Sequence, residues 1–268
     1  MIEYIELLAW PFLAALVITG IHVYLGLHVV SRGVIFVDLA LAQLAALGTA
    51  VGLIIGLEEN ATSTYAVALC FTIFGALLFS FTRSKKSKIP QEAIIGITYV
   101  VSAAIMILLF SKSPEGSEHL NHILVGSILF VTPKIIGLTL ILYVTVGMFH
   151  WVFRKEMIAV SFGHNTTGGN TQLWDFLFYV SFGFVVTSSV KIAGILLVFS
   201  FLIIPAIAGL LFIKGIKNRL LFGWVFSIVG SAMGMAFSLV FDIPTGATIV
   251  VTFGLMLAVA GIIKLIMD

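Results

Sequence analysis

An all-helical polytopic membrane fold of about nine spans is what this sequence predicts, and three observations carry that expectation. The first is composition: of 268 residues, 60% are hydrophobic and only 10% charged, with a mean hydropathy of +1.20. A soluble domain carries about 25% charged residues, so this chain cannot clothe itself in wetted groups, and lipid is its solvent. The second is run length: the apolar residues fall into stretches of roughly 20, the number a helix needs to cross the hydrocarbon core. The third is the gathering of basic residues into alternate loops.

The runs lie at 7–30, 34–56, 64–82, 91–110, 134–153, 172–190, 194–213, 220–241 and 245–267. Backbone groups in lipid must find partners within their own segment, so each run is read as a helix. No segment shows the ten-residue alternation of a membrane barrel. The first run follows Glu3 and Glu6 rather than a basic region, which predicts a retained helix instead of a cleaved signal peptide. The sixth and seventh runs are separated only by "VKIAG" (190–194), so the count is eight to nine. All of them belong to one transmembrane domain, 1–268. The single cysteine, Cys70, excludes an intrachain disulfide.

The linkers "TRSKKSKIP" (82–90), "IKGIKNR" (213–219) and "FRKEM" (153–157) are basic, whereas "LEEN" (57–60) and "SPEGSEH" (113–119) are acidic. The positive-inside rule places the basic set in the cytoplasm. Eleven of the 14 Lys and Arg then lie inside: Arg32, Arg83, Lys85, Lys86, Lys88, Arg154, Lys155, Lys214, Lys217, Arg219 and Lys264. Nine crossings fit an outer N-terminus and a cytoplasmic C-terminus. The net charge of +2 is too small to suggest a nucleic-acid partner.

Small residues at four-residue steps, Gly48, Gly52 and Gly56 in the second run and Gly230 and Gly234 in the eighth, let helix backbones approach closely. They read as packing ridges or as surfaces on which helices slide. Gly183, Gly194 and Gly209 are scattered through the sixth and seventh runs. Two connections are more than linkers. "EHLNHILVGSILFVTPK" (118–134), on the outer side, holds about ten apolar residues, too few to span, and reads as a re-entrant or interfacial helix. "RKEMIAVSFGHNTTGGNTQ" (154–172), on the inner side, reads as a short amphipathic helix that breaks at "TTGGN". It offers a surface either to a soluble partner or to the membrane alone.

Catalytic constellations are missing: there is no Ser-His-Asp set on facing helices and no pair of intramembrane carboxylates. One acid, Asp38, stands clearly inside a span, with Gln43 five residues on; Asp175 and Asp242 lie close to helix ends. Asp38 is read either as an acid held by the helix dipole, pairing with Arg32, or as a group on a substrate route. His22, His28 and His150 form no HxxxH or HExxH pair. His119 and His122, three apart at the outer mouth, could touch an arriving metal or face water.

Five segments in order resemble the permease subunits of zinc, manganese and iron ABC importers. They are "GLHVVSRGVIFVDLALAQLAALGTAVG" (26–52), "ILVGSIL" (123–129), "EMIAVSFGHN" (156–165), "VKIAGILLVFSFLIIPAIAGLL" (190–211) and "FDIPTGATIVVTFG" (241–254). The resemblance implies a type II importer fold, in which two copies or two related chains form the pathway. It implies an extracytoplasmic substrate-binding protein outside and a separate ATP-binding subunit inside, in a bacterial-type plasma membrane. The chain has no "GxxxxGK[ST]" of its own. The resemblance also implies that Arg154, Lys155, Glu156, Met157, Ile158, Ala159, Gly163 and His164 form the ATPase contact, and that a divalent metal is cargo, with no resident cofactor. Its first motif carries an acid and a histidine four residues apart. Here Asp38 is followed at that spacing by Ala42, and Gln43 takes the histidine's place in the other register. A substrate pathway through Asp38, Gln43, His119 and His122, with Asp38 as metal ligand, is the resulting expectation. A stand-alone secondary metal transporter or channel is the alternative, and such proteins usually carry more intramembrane polar groups or broken helices than this chain does.

Overall fold

A computed structural model describes residues 2–58, 61–83, 89–111, 118, 124–126, 128–163 and 171–267. Among them the apolar runs form helices: α1 (Ile2–Arg32), α2 (Val37–Ile54), α3 (Thr62–Thr82), α4 (Gln91–Phe110), α5 (Pro133–Val152), α6 (Arg154–Phe162), α7 (Thr171–Phe212), α8 (Ile216–Phe241) and α9 (Thr245–Met267). Eight are long and apolar enough to cross a membrane; α6, with nine residues, is not. No strand occurs among the described residues.

The count differs from nine for a physical reason. The sixth and seventh runs form the single 42-residue α7, which at 1.5 Å per residue would be about 63 Å long if straight, about twice the hydrocarbon thickness. It is not straight. At Gly194 the backbone swings to φ 74°, ψ 166°, a region essentially restricted to glycine. The division expected at "VKIAG" therefore falls where expected, as a break rather than a loop, and the segments on either side each have spanning length.

A second boundary changes the reading of Asp38. The run expected at 34–56 begins only at Val37, because α1 ends at Arg32 and Gly33 turns the chain at φ 70°. Asp38 thus sits in the first turn of α2, on a different helix from Arg32. At the far end Gly56 has φ 88° and stands beyond the helix, so it belongs to a turn and not to the glycine ridge.

The rest of that ridge packs. A Cβ on Gly48 would lie 2.7 Å from Ala68 Cα, and one on Gly52 would lie 3.1 Å from Thr64 Cγ2, both on α3. Gly230 and Gly234 do the same for α8 against Phe253 and Ile249 of α9. In lipid, where apolar area gives helices little reason to associate, such backbone proximity is what joins them.

The chain divides into two compact units. One comprises residues 1–30, 125–145 and 192–268; the other comprises 31–124 and 146–191. In the first, Phe201 and Phe253 meet edge-on at 5.2 Å, and Trp224 Nε1 donates to the Gly20 carbonyl at 3.1 Å. In the second, Phe79, Phe178, Tyr179 and Phe182 are wholly buried, and Thr72 and Thr187 share a hydrogen bond at 3.0 Å. Leu108 of α4 and Leu265 of α9 are among many large apolar side chains left exposed, as lipid contact requires and water would punish. Of the short outer helix expected at 118–134, residues 118, 124 and 125 are helical and Ile128–Phe130 form a 3₁₀ turn. His119 and His122 lie outside the described residues.

Gly234→Val should lower the melting temperature in detergent by several degrees, since overpacking costs about 1–3 kcal/mol. Gly254→Val, at a position with nothing within 4 Å, should leave it unchanged. Equal melting curves for the two variants would refute the packing role of the α8 ridge.

Candidate functional site

Three places in the structure carry chemistry or strain, and each belongs wholly to one of the two units. The first is the start of α2. Asp38 is fully buried, and neither carboxylate oxygen has a hydrogen-bond partner among the described residues. The orphan N–H groups that open a helix usually draw an acid of its own first turn. Here Glu92, from the first turn of α4, fills that role: its Oε1 accepts from Phe36 N at 3.1 Å. Among the described residues Asp38 is left without a hydrogen-bond partner. Gln43 is buried too, and its Oε1 is likewise unpartnered among the described residues. At 100° per residue the two side chains leave α2 about 140° apart, so one ion cannot take both from one helix. Among the described residues no group of three or more His, Cys, Asp or Glu could hold a metal.

The expected pairing of Asp38 with Arg32 is overturned. Arg32 Nη1 donates to Asp175 Oδ1 at 2.9 Å, and its Nε donates to Ser161 Oγ at 2.9 Å. Arg83 Nη1 also donates to Asp175 Oδ1, while its Nη2 reaches the Val160 carbonyl at 2.8 Å. Arg32 lies over the Phe178 ring, 3.6 Å from its centroid, an arrangement that partly replaces the water a buried guanidinium has lost. Beside it, Gln91 Nε2 bridges the Phe79 carbonyl at 2.7 Å and the Tyr179 hydroxyl at 3.2 Å. Four elements of this unit thus converge: the last residue of α1, the residue after α3, the start of α7 and the last turn of α6.

α6 itself is terminated by Gly163 in the left-handed region, φ 73° and ψ 16°, a common helix ending. Met157, Val160 and Ser161 are buried; Arg154, Lys155 and Gly163 are exposed; Glu156, Ile158 and Ala159 are half-buried. Met157, expected at the ATPase contact, therefore anchors the helix instead of facing outward. His164 lies outside the described residues. The intramembrane histidines are engaged as well: His22 Nδ1 meets the Ile18 carbonyl at 2.8 Å, and His150 Nε2 meets Ser181 Oγ at 2.8 Å.

The third place joins three of the sequence motifs. Gly126, with φ 69°, lies against the backbone of Ala193 and Gly194, where a Cβ would collide with main-chain atoms. Gly246, at the start of α9, lets the Val125 carbonyl approach within 3.0 Å of where its own Cβ would be. The α8–α9 turn is held by Ser238 Oγ donating to the Ile243 carbonyl at 2.7 Å, with Asp242 at φ 51°. Residues 125–126, 193–194 and 242–246, one stretch from each of three of the sequence motifs, are therefore parts of one junction, built around the break in α7.

Comparison with known proteins agrees with this architecture. The model of the ABC 3 transport family matches residues 4–264. The manganese transport system membrane protein MntC of Listeria innocua is 26% identical over 262 residues, covering 95% of this chain and 91% of its own length. The manganese import system permease protein ScaB of Streptococcus gordonii is 24% identical over 251 residues, covering 92% and 88% respectively. Among solved structures, a chain of PsaBC from Streptococcus pneumoniae in complex with Fab superposes with a TM-score of 0.79, at 23% identity, over 97% of this chain and 95% of that one. The polytopic all-α permease fold implied by the sequence is the fold found.

Gly194→Ala and Gly126→Ala should each cost about 1–3 kcal/mol, the usual strain of a non-glycine residue in such conformations, and should lower the melting temperature in detergent. Unchanged melting in both would mean the junction relaxes freely.

Proposed function

The chain belongs to the ABC 3 transport family, and from that premise we propose that it is the membrane permease of an ABC importer for a divalent metal, manganese first. It works by alternating access as a single permease domain. ATP is bound and hydrolysed by a separate ATP-binding subunit, and an extracytoplasmic binding protein delivers the metal, bare or chelated. A second copy or a related chain completes the pathway, and the N-terminus faces outside with the C-terminus in the cytoplasm. The MntC and ScaB relatives are named for manganese, and the donors on α2 suit that metal. Asp38, and separately Gln43 further along the helix, would each offer a passing ion oxygen alone, and oxygen ligands favour harder ions over zinc.

One observation carries the reading. α6 is a nine-residue helix between two spanning helices, too short to cross, with one face buried and the charged residues Arg154 and Lys155 exposed. It is joined by hydrogen bonds to residues at the ends of spanning helices. Such an element has little reason to exist in a channel and every reason to exist where a soluble subunit pushes. Asp38 joins the substrate route because an acid left without a partner in a folded protein can receive a passing cation. His119 and His122 complete the proposed route at the outer mouth, and His164 extends the ATPase contact.

Replacing Glu156–Gly163 with a Gly/Ser linker should abolish both co-purification of the ATP-binding subunit and metal uptake. If the unaltered chain co-purifies with no ATP-binding subunit and uptake survives that replacement, the chain is a transporter working alone and the importer reading ends. Asp38→Asn, which keeps the shape and removes the charge, should leave the amount of assembled complex and its melting temperature at or above wild type while uptake falls about tenfold or more, the loss of roughly 1.4 kcal/mol of interaction. Loss of assembly in parallel with uptake would make Asp38 a structural residue instead.

A further inference from the structure

The cluster around Asp175 has a composition that simple anchoring does not require. Two guanidinium groups share one carboxylate oxygen, so the cluster keeps an excess of positive charge in a place where water is scarce. The Arg32 side chain is 0% exposed, that of Asp175 4%, and that of Arg83 29%. A one-to-one pair would hold α1 to α7 with less desolvation.

The second arginine adds a second acceptor. The carbonyls of a helix's last turn have no partners of their own and form its negative end. Arg83 spends Nη2 on one of these, at Val160, while Nη1 stays on Asp175. Arg32 divides its donors in the same way, between Ser161 of the same turn and Asp175. Only a planar fork of donors can serve two acceptors at fixed separation. Both arginines therefore tie the end of α6 to the start of α7, and each stands at the end of another spanning helix. α1 and α7 each contain residues of both compact units.

We propose that Arg32 and Arg83, gathered on Asp175, form a two-pronged latch that carries displacement of α6 into the ends of α1, α3 and α7. They are positioning residues for transport, distant in role from the groups that would touch metal or nucleotide. This rests on the reading of α6 as the ATPase contact and adds to it the route by which that contact is felt.

Arg83 is the residue to change. Removing Asp175 would leave two cations facing each other, whereas Arg83→Gln leaves a neutral Arg32–Asp175 pair. The experiment uses the permease with its ATP-binding subunit and binding protein, reconstituted in vesicles with manganese. Three quantities are read: the amount of complex assembled, the ATPase rate, and the metal imported per ATP hydrolysed. With Arg83→Gln, assembly should stay at wild type and the ATPase rate within about twofold, while metal per ATP falls about tenfold, within the usual span of coupling free energies between sites. Arg83→Lys keeps the charge but not the fork, and should fall between the two. If Arg83→Gln fails to assemble, Arg83→Lys and Ser161→Ala, which removes the Arg32 prong, read the same ratio and should both lower it.

A wild-type ratio in every variant that assembles overturns the latch, as does uptake that falls only in step with the amount of complex. Those results would leave the importer reading intact provided the Gly/Ser replacement of α6 still severs the ATP-binding subunit. If that replacement leaves the subunit bound and uptake intact, the reading of α6 as the ATPase contact fails first, and the latch fails with it.

Discussion

Hydrocarbon offers a peptide group no hydrogen-bond partner, and almost every feature of this chain is a response to that. Because each unsatisfied amide or carbonyl costs several kcal/mol in lipid, the apolar runs have one outcome, the helix. Departures from helix need local compensation. Gly194 breaks α7 and is met by the backbone around Gly126. The end of α8 bends at Asp242 and is met by the Ser238 hydroxyl. The end of α6 stops at Gly163, and one carbonyl of its last turn, that of Val160, is met by Arg83. Irregular backbone occurs here where partners for it are in place.

The same solvent removes the ordinary incentive for helices to pack, and glycine supplies another. The close approaches at Gly48 to Ala68 and Gly234 to Ile249 bring main chains nearer than any side chain would permit. A helix joined in this way is fixed along its whole face and moves as a body. Mechanical input at one end then becomes displacement at the other, which is what an importer driven from the cytoplasm requires. Rigid helices with broken, glycine-bound junctions make a better transmission than flexible ones.

Sequence alone revealed what depends on run length and on short segments: the spans, the division within 172–213 and the short helix after the fifth run. It could not reveal partners distant in the chain. Arg32 and Asp38 are close in sequence and both near the inner end of a span, so pairing them was reasonable; the turn at Gly33 separates them. The true partner, Asp175, is 143 residues away. One signal was present. Three charges, Arg32, Arg83 and Asp175, all mark inner ends of apolar runs, and oppositely charged groups at one membrane depth are candidates for one another. Met157 is a different miss. It lies inside a motif read as a docking surface, and only the helix's orientation shows that it faces inward.

Asp38 is a costly residue to bury in this fold, and its cost argues for its use. An acid deep in a membrane helix opposes insertion by about 2.5–3.5 kcal/mol at the centre, while a place in the first turn of a helix returns about 0.3–1 kcal/mol in ordinary cases. The dipole does not balance the account unless the site is shallow. Glu92 already occupies the cap of α2, so Asp38 is not required to start the helix. Arg32, the cation that could have neutralised it, is committed to Asp175. Alanine, one methyl group at the same place, would serve packing without the penalty. Among the described residues this carboxylate has no hydrogen-bond partner and no cation beside it, and that lack of a partner is what the proposed role of meeting a passing divalent cation would use.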